Sequence, residues 1–579
     1  MTMEAVIPDL TGGEMSTISK SVTWRVRLAL LCAFVLIITA MTGTPLQAQL
    51  LHQQFAEYLN AAQQVKHFSG AVLVAKDHQI LFAEGYGVAD LSTSQPNTPD
   101  TRFLLASITK PFTATAIMQL AERGLLSLDD PIAKYLPDYP KSVAEAVTIY
   151  HLLTHTSGIP DYTGLPELDA MYERSVKPDA VVSLFRDLPL TFEPGSEWRY
   201  SSSGYYLLGL MIEKVSGLTY GEYMRERIFR PSGMEASDFP EGLIEGPGMA
   251  MGYALDSDQN PVPEKRVHRN LPYSAGGLCS TAGDMAKWDQ ALRDGTLLSQ
   301  ESLALMFTPF KWRYGCGWEI DSLYGHLMVS HGGFGAGFST HFMRFADEPF
   351  CVVVLSNNDA GSIDRMANDL AAIAYGEPYD VPVMRTPVAV DPSLFNDYVG
   401  VYDAGPGAHR LVTREGDSLY IQHTGGVRSR LQAEGEDRFF ASQDNRVTVS
   451  FIRNAESMVT GQIIHHNGRN EKGRRIEGEE AEALLAALVP ANVNPAIYDR
   501  FVGDYEVAPG FVITLTRRND QLFIQPTGQP EAEIFPRSET EFFVKAVDAL
   551  VSFTKDTTGS VSGLILQQGG REIPAKKIK

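Results

Sequence analysis

The chain has 579 residues, too many for one hydrophobic core, and that length predicts three or four domains. With 44% apolar and 21% charged residues, its composition is that of a soluble globular protein. A net charge of −21 and the absence of a polybasic segment argue against nucleic acid and anionic membrane surfaces as partners.

Leu28 to Met41 form an apolar run without charge, preceded by Arg25 and Arg27 and followed by Pro45-Leu46-Gln47-Ala48. A membrane span needs about 20 residues, so this shorter run reads as the core of an export signal over residues 1–48. The alternatives are a start at Met15 and retention of the segment as an anchor. The expected destination is the periplasm or the medium, with no stable membrane insertion after cleavage. Cys32 lies in the signal, leaving Cys279, Cys316 and Cys351 in the mature chain. Such an odd, sparse set makes no disulfide framework, and no C-x-x-C pair or histidine cluster points to a metal. Neither a metal nor a cofactor is expected.

Leu50 to Val65 reads as an amphipathic helix. Gly70 to Ala75 and Gln79 to Ala83 flank Lys76-Asp77-His78 as a hairpin. Next comes Ser107-Ile108-Thr109-Lys110, heading a run to Arg123 with Ala114, Ile117, Met118, Leu120 and Ala121 at helical spacing. A helix begun at Ser107 puts its hydroxyl beside the Lys110 amine, one turn on. Unpaired backbone N–H groups at a helix start favour negative charge on an attacking alkoxide or an oxyanion. A lysine held in a dry site there loses part of its preference for the charged form and accepts the serine proton. Ser552-Phe553-Thr554-Lys555 has the same spacing inside an alternating run, so it reads as a strand and a chance match.

Three stretches stand out before the next strands. Leu152 to Gly158 ends a short helix in a turn, where His155 reads as structural rather than catalytic. Trp198-Arg199-Tyr200-Ser201-Ser202-Ser203-Gly204 leads into a helix with Leu207, Leu208, Met211, Ile212 and Val215 on one face. Tyr200 therefore sits at the mouth of a buried helix. It is either a packed ring with a capped hydroxyl or a phenol of lowered pKa that shuttles the serine proton. Ser330-His331-Gly332-Gly333-Phe334 reads as a turn whose glycines would let a substrate lie against a strand edge. Phe338 to Phe345 and Phe350 to Leu355 form a second hairpin, and Ile363 to Tyr375 a helix. Strands at both ends of a largely helical stretch predict one antiparallel sheet built from both termini, an α+β fold with a helical insertion.

Ser107-Ile108-Thr109-Lys110, Tyr200-Ser201-Ser202 and His331-Gly332-Gly333 stand in the order of the three motifs of the serine β-lactamase and penicillin-binding-protein superfamily. The chain resembles its class C-like branch over roughly residues 50–380, where the motifs read S-x-x-K, Y-x-N and K-T-G or H-x-G. Ser274 to Leu278, Asp284-Met285 and Pro194-Gly195 also resemble that branch. The resemblance implies an acyl-enzyme on Ser107, with Lys110 and Tyr200 exchanging its proton. It also implies an oxyanion hole from the N–H groups of Ser107 and Phe334, and substrate contacts from Ser202, His331 and Gly333. His331 stands where many relatives carry lysine and would contact a substrate carboxylate or the Tyr200 hydroxyl. Ser202 replaces an asparagine whose amide would hold a substrate amide, which shifts weight from β-lactams toward esters and D-peptides.

Beyond Tyr379, prolines 382, 387 and 392 mark a linker, and then the chain repeats. Phe395 to Tyr402 returns as Tyr498 to Tyr505, Leu419 to Gln422 as Leu522 to Gln525, and Phe439-Phe440 as Phe542-Phe543, all at an offset of 103. Two units, residues 394–478 and 494–579, are expected as small all-β barrels joined by a helical stretch, residues 479–493. Both resemble the lipocalin-like domains that follow such hydrolases. No catalytic constellation is visible in either, so packing against or shading the active-site mouth leads over small-ligand capture.

The leading reading is thus an exported serine hydrolase acting on a small ester, D-amino-acid peptide or β-lactam. The alternatives are a penicillin-binding-like receptor that acylates but barely turns over, and a non-catalytic binding protein on the same scaffold. The expected partner is a small-molecule or peptide substrate, with the oligomeric state left open.

Overall fold

The computed structural model describes residues 47–578, apart from residues 173, 257–259, 360–361, 406–407, 424–426, 443–445, 467, 487–488, 509–510, 528, 548 and 569–570. The chain divides into two units, Met1–Glu57 and Tyr58–Lys579. The described residues of the first, 47–57, are helical. All but the last two residues of the expected export signal, Cys32 included, lie outside the described residues. Among the described residues no helix is long and apolar enough to cross a membrane.

The second unit begins with a six-stranded antiparallel sheet. Its spatial order is Gln79–Tyr86, Gly70–Lys76, Phe350–Ser356, Phe338–Phe345, His326–Gly335, Glu319–Leu323. The expected union of both chain ends is made where Gly70–Lys76 pairs with Phe350–Ser356, in the register Val72↔Val354. Valines crowd these central strands because branched side chains suit a pleated surface buried on both faces. Every residue of Phe350–Ser356 is buried, and helices Ala282–Arg293 and Ile363–Tyr375 pack on it. Asp77 and His78 turn the first hairpin with φ of 51° and 63°, the left-handed pair that a two-residue turn demands.

One expectation fails here. His331-Gly332-Gly333 is not a turn but part of strand His326–Gly335, paired with Phe338–Phe345 throughout. Glycine pairs weaken strand propensity, and what keeps them in this strand is a close backbone approach, described below.

Helix Ala282–Arg293 is tied to the sheet by a buried ion cluster. Arg344, 2% exposed, donates from Nε to Asp289 Oδ1 at 2.5 Å, and Arg293 Nε donates to Asp289 Oδ2 at 2.6 Å. Removing the carboxylate would leave the Arg344 guanidinium buried without a counter-charge. Asp289→Ala is therefore expected to cost about 3–5 kcal/mol, read as a lowered urea midpoint. A midpoint within error of the parent would show that Arg344 finds water instead.

The tail forms two closed eight-stranded antiparallel barrels, as the repeat predicts. The first runs from Gly400–Asp403 to Arg469–Ile476 and the second from Gly503–Ala508 to Arg571–Lys577, each closed by pairing of first strand with last. The 103-residue offset carries contacts as well as letters. Tyr402 donates its hydroxyl to the Tyr398 carbonyl, and Tyr505 to the Phe501 carbonyl, both at 2.7 Å. Tyr398 stacks on Phe451 at 4.4 Å and Phe501 on Phe553 at 4.1 Å, so aromatic rings fill both interiors. Ser552 lies in strand Ala549–Lys555 of the second barrel, not at a helix start.

Candidate active site

Ser107 lies in a 3₁₀ turn, Ala106–Ile108, that runs straight into helix Thr109–Glu122. The residue before it, Ala106, has φ of 47°, a left-handed conformation that costs a residue with a Cβ about 1–2 kcal/mol. That bend lifts the half-buried Ser107 to the head of a helix buried from Thr109 to Leu120. The segment Ser274 to Leu278 straps the first turns. Leu278 N–H donates to Thr109 Oγ1 at 3.1 Å, and Thr113 Oγ1 donates to the Ser274 carbonyl at 2.7 Å.

Lys110 is fully buried one turn on, as the spacing requires. Its Nζ stands 3.0 Å from Ser107 Oγ and donates to the Ala275 carbonyl at 2.8 Å. Burial pushes the amine down to about 7, with the Asp161 carboxylate pulling the other way. At neutral pH a large fraction of Lys110 is therefore the free base, whose lone pair can accept the Ser107 proton.

Tyr200 reaches the same serine from the loop before helix Ser202–Ser216. Its phenol shares a side-chain hydrogen bond with Ser107, and its ring lies 4.8 Å from Lys110 Nζ. Of the two readings of Tyr200, the lowered pKa is not what the surroundings produce. Burial raises it, Asp161 and Glu319 raise it further, and the Ser107 bond offsets only part. Tyr200 rests as a neutral phenol. His155 is structural, as expected: its Nδ1 accepts from Ser201 N–H at 3.1 Å, and its ring packs 4.3 Å from that of Tyr200. Burial keeps His155 neutral.

The third motif borders the serine through backbone. A Cβ on Gly333 would meet the Leu105 carbonyl oxygen at 2.3 Å, Thr340 Oγ1 at 2.4 Å and Ser107 N at 3.1 Å. The glycine is thus the price of bringing this strand against the nucleophile's backbone. Phe334, the next residue, is 72% exposed at the cleft. His331 is engaged by its own surroundings. It is 2% exposed, its Nδ1 donates to the Gly332 carbonyl at 2.6 Å, and its Nε2 accepts from the Tyr314 hydroxyl at 3.0 Å. Burial, with Lys110 second, lowers its pKa to about 3, so it is neutral rather than a stand-in for lysine. Ser107, Ser202 and Phe334 line a cleft of about 160 Å³, and His331 and Gly333 are not among its lining residues.

A sequence profile described as Beta-lactamase matches residues 55–376, more than half of the chain. The chain belongs to the beta-lactamase family. Penicillin-binding protein 4* of Bacillus subtilis is 33% identical over 440 residues, covering 71% of this chain and 96% of that protein. A D-aminopeptidase of Brucella anthropi is 27% identical, over 77% of this chain and 87% of its own length. The solved structure of an octameric penicillin-binding protein homologue from Pyrococcus abyssi superposes with a TM-score of 0.53 at 26% identity, covering 73% of this chain and 99% of that one. A second profile, described as a domain of unknown function (DUF3471), matches residues 489–577.

Two residues of this beta-lactamase-family site were not anticipated from its sequence. Tyr314 hydrogen-bonds Nε2 of His331, whose tautomer the Gly332 carbonyl sets at Nδ1. Asp161 accepts from the backbone N–H of Ser202 at 3.2 Å, and its charge reaches both Lys110 and Tyr200. Neither sits in a motif. A lone tyrosine or aspartate between elements carries no period, and only packing brings it near the serine.

Proposed function

We propose that the chain is an exported serine hydrolase that forms an acyl-enzyme on Ser107. The observation that carries this reading is the 3.0 Å contact between Ser107 and a buried Lys110 whose amine is pushed down to about 7. In this mechanism the Lys110 amine takes the proton as Ser107 Oγ attacks the carbonyl. The N–H groups of Ser107 and Phe334 stabilise the oxyanion. Tyr200, held as a neutral phenol, donates a proton to the leaving group and is refilled from Lys110. Water then attacks the ester along the reverse path.

The substrates in view are small esters, D-amino-acid peptides and β-lactam amides. The family, and relatives named a penicillin-binding protein and a D-aminopeptidase, support this range. Ser202, in the place where an asparagine would hold a substrate amide, favours the first two. Export rests on the apolar run Leu28 to Met41 with its flanking arginines.

A fluorophosphonate probe tests the nucleophile directly. One adduct per chain is expected, mapping to the peptide that holds Ser107 and absent from Ser107→Ala. A label elsewhere, or equal labelling of Ser107→Ala, would refute the assignment.

A further inference from the structure

The cleft at Ser107 carries an unusual balance of charge. Its described lining contains no lysine, arginine or histidine side chain. Around it, Lys110, Tyr200 and His331 are each held toward the neutral form by burial. Beside them stands the Asp161 carboxylate, whose field reaches Lys110 and Tyr200. It caps the turn Tyr162–Gly164, two residues of which line the cleft, and receives the N–H of Ser202, which also lines it. Asp161 is half-buried, so its field is only partly screened. Its Oδ1 accepts from the N–H groups of Ser202 and Thr163, both at 3.2 Å, and its Oδ2 from Thr163 Oγ1 at 2.8 Å. A carboxylate offers about four lone-pair positions, and donors among the described residues take three of them. At the rim, Tyr172 lies near Asp169, Glu264 and Lys265, which together add one further negative charge.

We propose that Asp161 makes this site select acyl donors that carry a protonated amine next to the scissile carbonyl and reject those that carry a carboxylate there. The inference rests on the serine-hydrolase reading above and adds the substrate's charge to it. An ammonium in the cleft is drawn by the field of Asp161, which neighbours the lining residues Tyr162 and Ser202 without itself lining the cleft. A carboxylate in the same place meets a like charge and no cationic side chain in the described lining, in a site that His331 does not serve because both its nitrogens are engaged.

The test uses three methyl esters of one shape, CH₃–CH(X)–CO–OCH₃, with X an ammonium, a methyl or a carboxylate. These are racemic alanine methyl ester, methyl isobutyrate and monomethyl methylmalonate. They are assayed on the full chain at pH 7, where an α-amine is largely protonated, with methanol release as readout. The expected order of kcat/KM is ammonium, methyl, carboxylate, with about 100-fold between the ends, and Asp161→Asn is expected to shrink that span about tenfold. An ester that is bound but not turned over is ranked by its inhibition constant against p-nitrophenyl acetate. Equal values for the three, a preference for the carboxylate, or a span unchanged in Asp161→Asn would overturn the proposal. A cooperative urea unfolding transition reports that Asp161→Asn is folded. Absence of any Ser107-dependent turnover of p-nitrophenyl acetate would instead refute the hydrolase reading, so the two failures are distinguishable.

Discussion

Lys110→Met is expected to lower kcat/KM for a p-nitrophenyl ester about 10²–10⁴-fold, the range lost with a positioned general base, and to make the protein more stable. Both effects come from one fact, that an amine is buried with no carboxylate in salt-bridge contact among the described residues. In the parent the rate should rise with pH through about 7, because only the neutral amine accepts the Ser107 proton, and this rise should vanish with the amine. The sign for stability follows from the same depression. Between about 7 and the ordinary lysine value of 10.5, the unfolded chain keeps a proton that the folded chain has released. Stability therefore increases with pH across that window, and the full penalty is present below it. Methionine removes the penalty, so the gain in Tm should be largest at or below pH 7 and shrink toward pH 10. The lost hydrogen bond to the Ala275 carbonyl offsets about 1 kcal/mol of it. A less stable variant at pH 6 would mean that the ionised Lys110 is well paired, contrary to the depression that makes it a base.

Gly333→Ala should be nearly as damaging, through backbone alone. The added Cβ would sit 2.3 Å from the Leu105 carbonyl oxygen and 2.4 Å from Thr340 Oγ1, which itself donates to that carbonyl at 2.8 Å. Neither a carbonyl in the turn before the nucleophile nor a hydroxyl already bonded to it can give way cheaply. The strand has to move off, taking the Phe334 N–H away from the Ser107 N–H. Loss of one oxyanion donor corresponds to about 10²–10³ in kcat, and overpacking costs about 1–3 kcal/mol. Gly332→Ala is the control, since its Cβ would meet nothing nearer than His341 Nδ1 at 3.7 Å. Parent-like kcat in Gly332→Ala beside a collapse in Gly333→Ala is the expected pattern, and equal effects would contradict the close-approach argument.

Much of this molecule was legible in its residues because local patterns dictated local structure. Short apolar runs around Val72, Phe342 and Val353 became neighbouring strands. The spacing of Ser107 and Lys110 became a 3.0 Å contact because residues three apart on a helix start share a face. The repeat at 103 residues became two barrels with the same tyrosine-to-carbonyl bond in each. What was misread at His331-Gly332-Gly333 was a matter of partners. Glycines signal a turn when only neighbours in the chain are considered, and here they serve a strand pressed against another segment's backbone.

The sequence by itself thus determined the fold class, the repeat and the serine–lysine pair, because each rests on residue spacing along one element. Only the tertiary structure decided the charge of the site. Whether Lys110, Tyr200 and His331 are ionised depends on how much water and which charges surround them. Those surroundings come from Asp161, Ala275 and Tyr314, 51, 165 and 204 positions from Lys110 along the chain. Burial made the lysine a base, kept the tyrosine a phenol and left the histidine neutral, and none of the three outcomes is written in the motif that holds it.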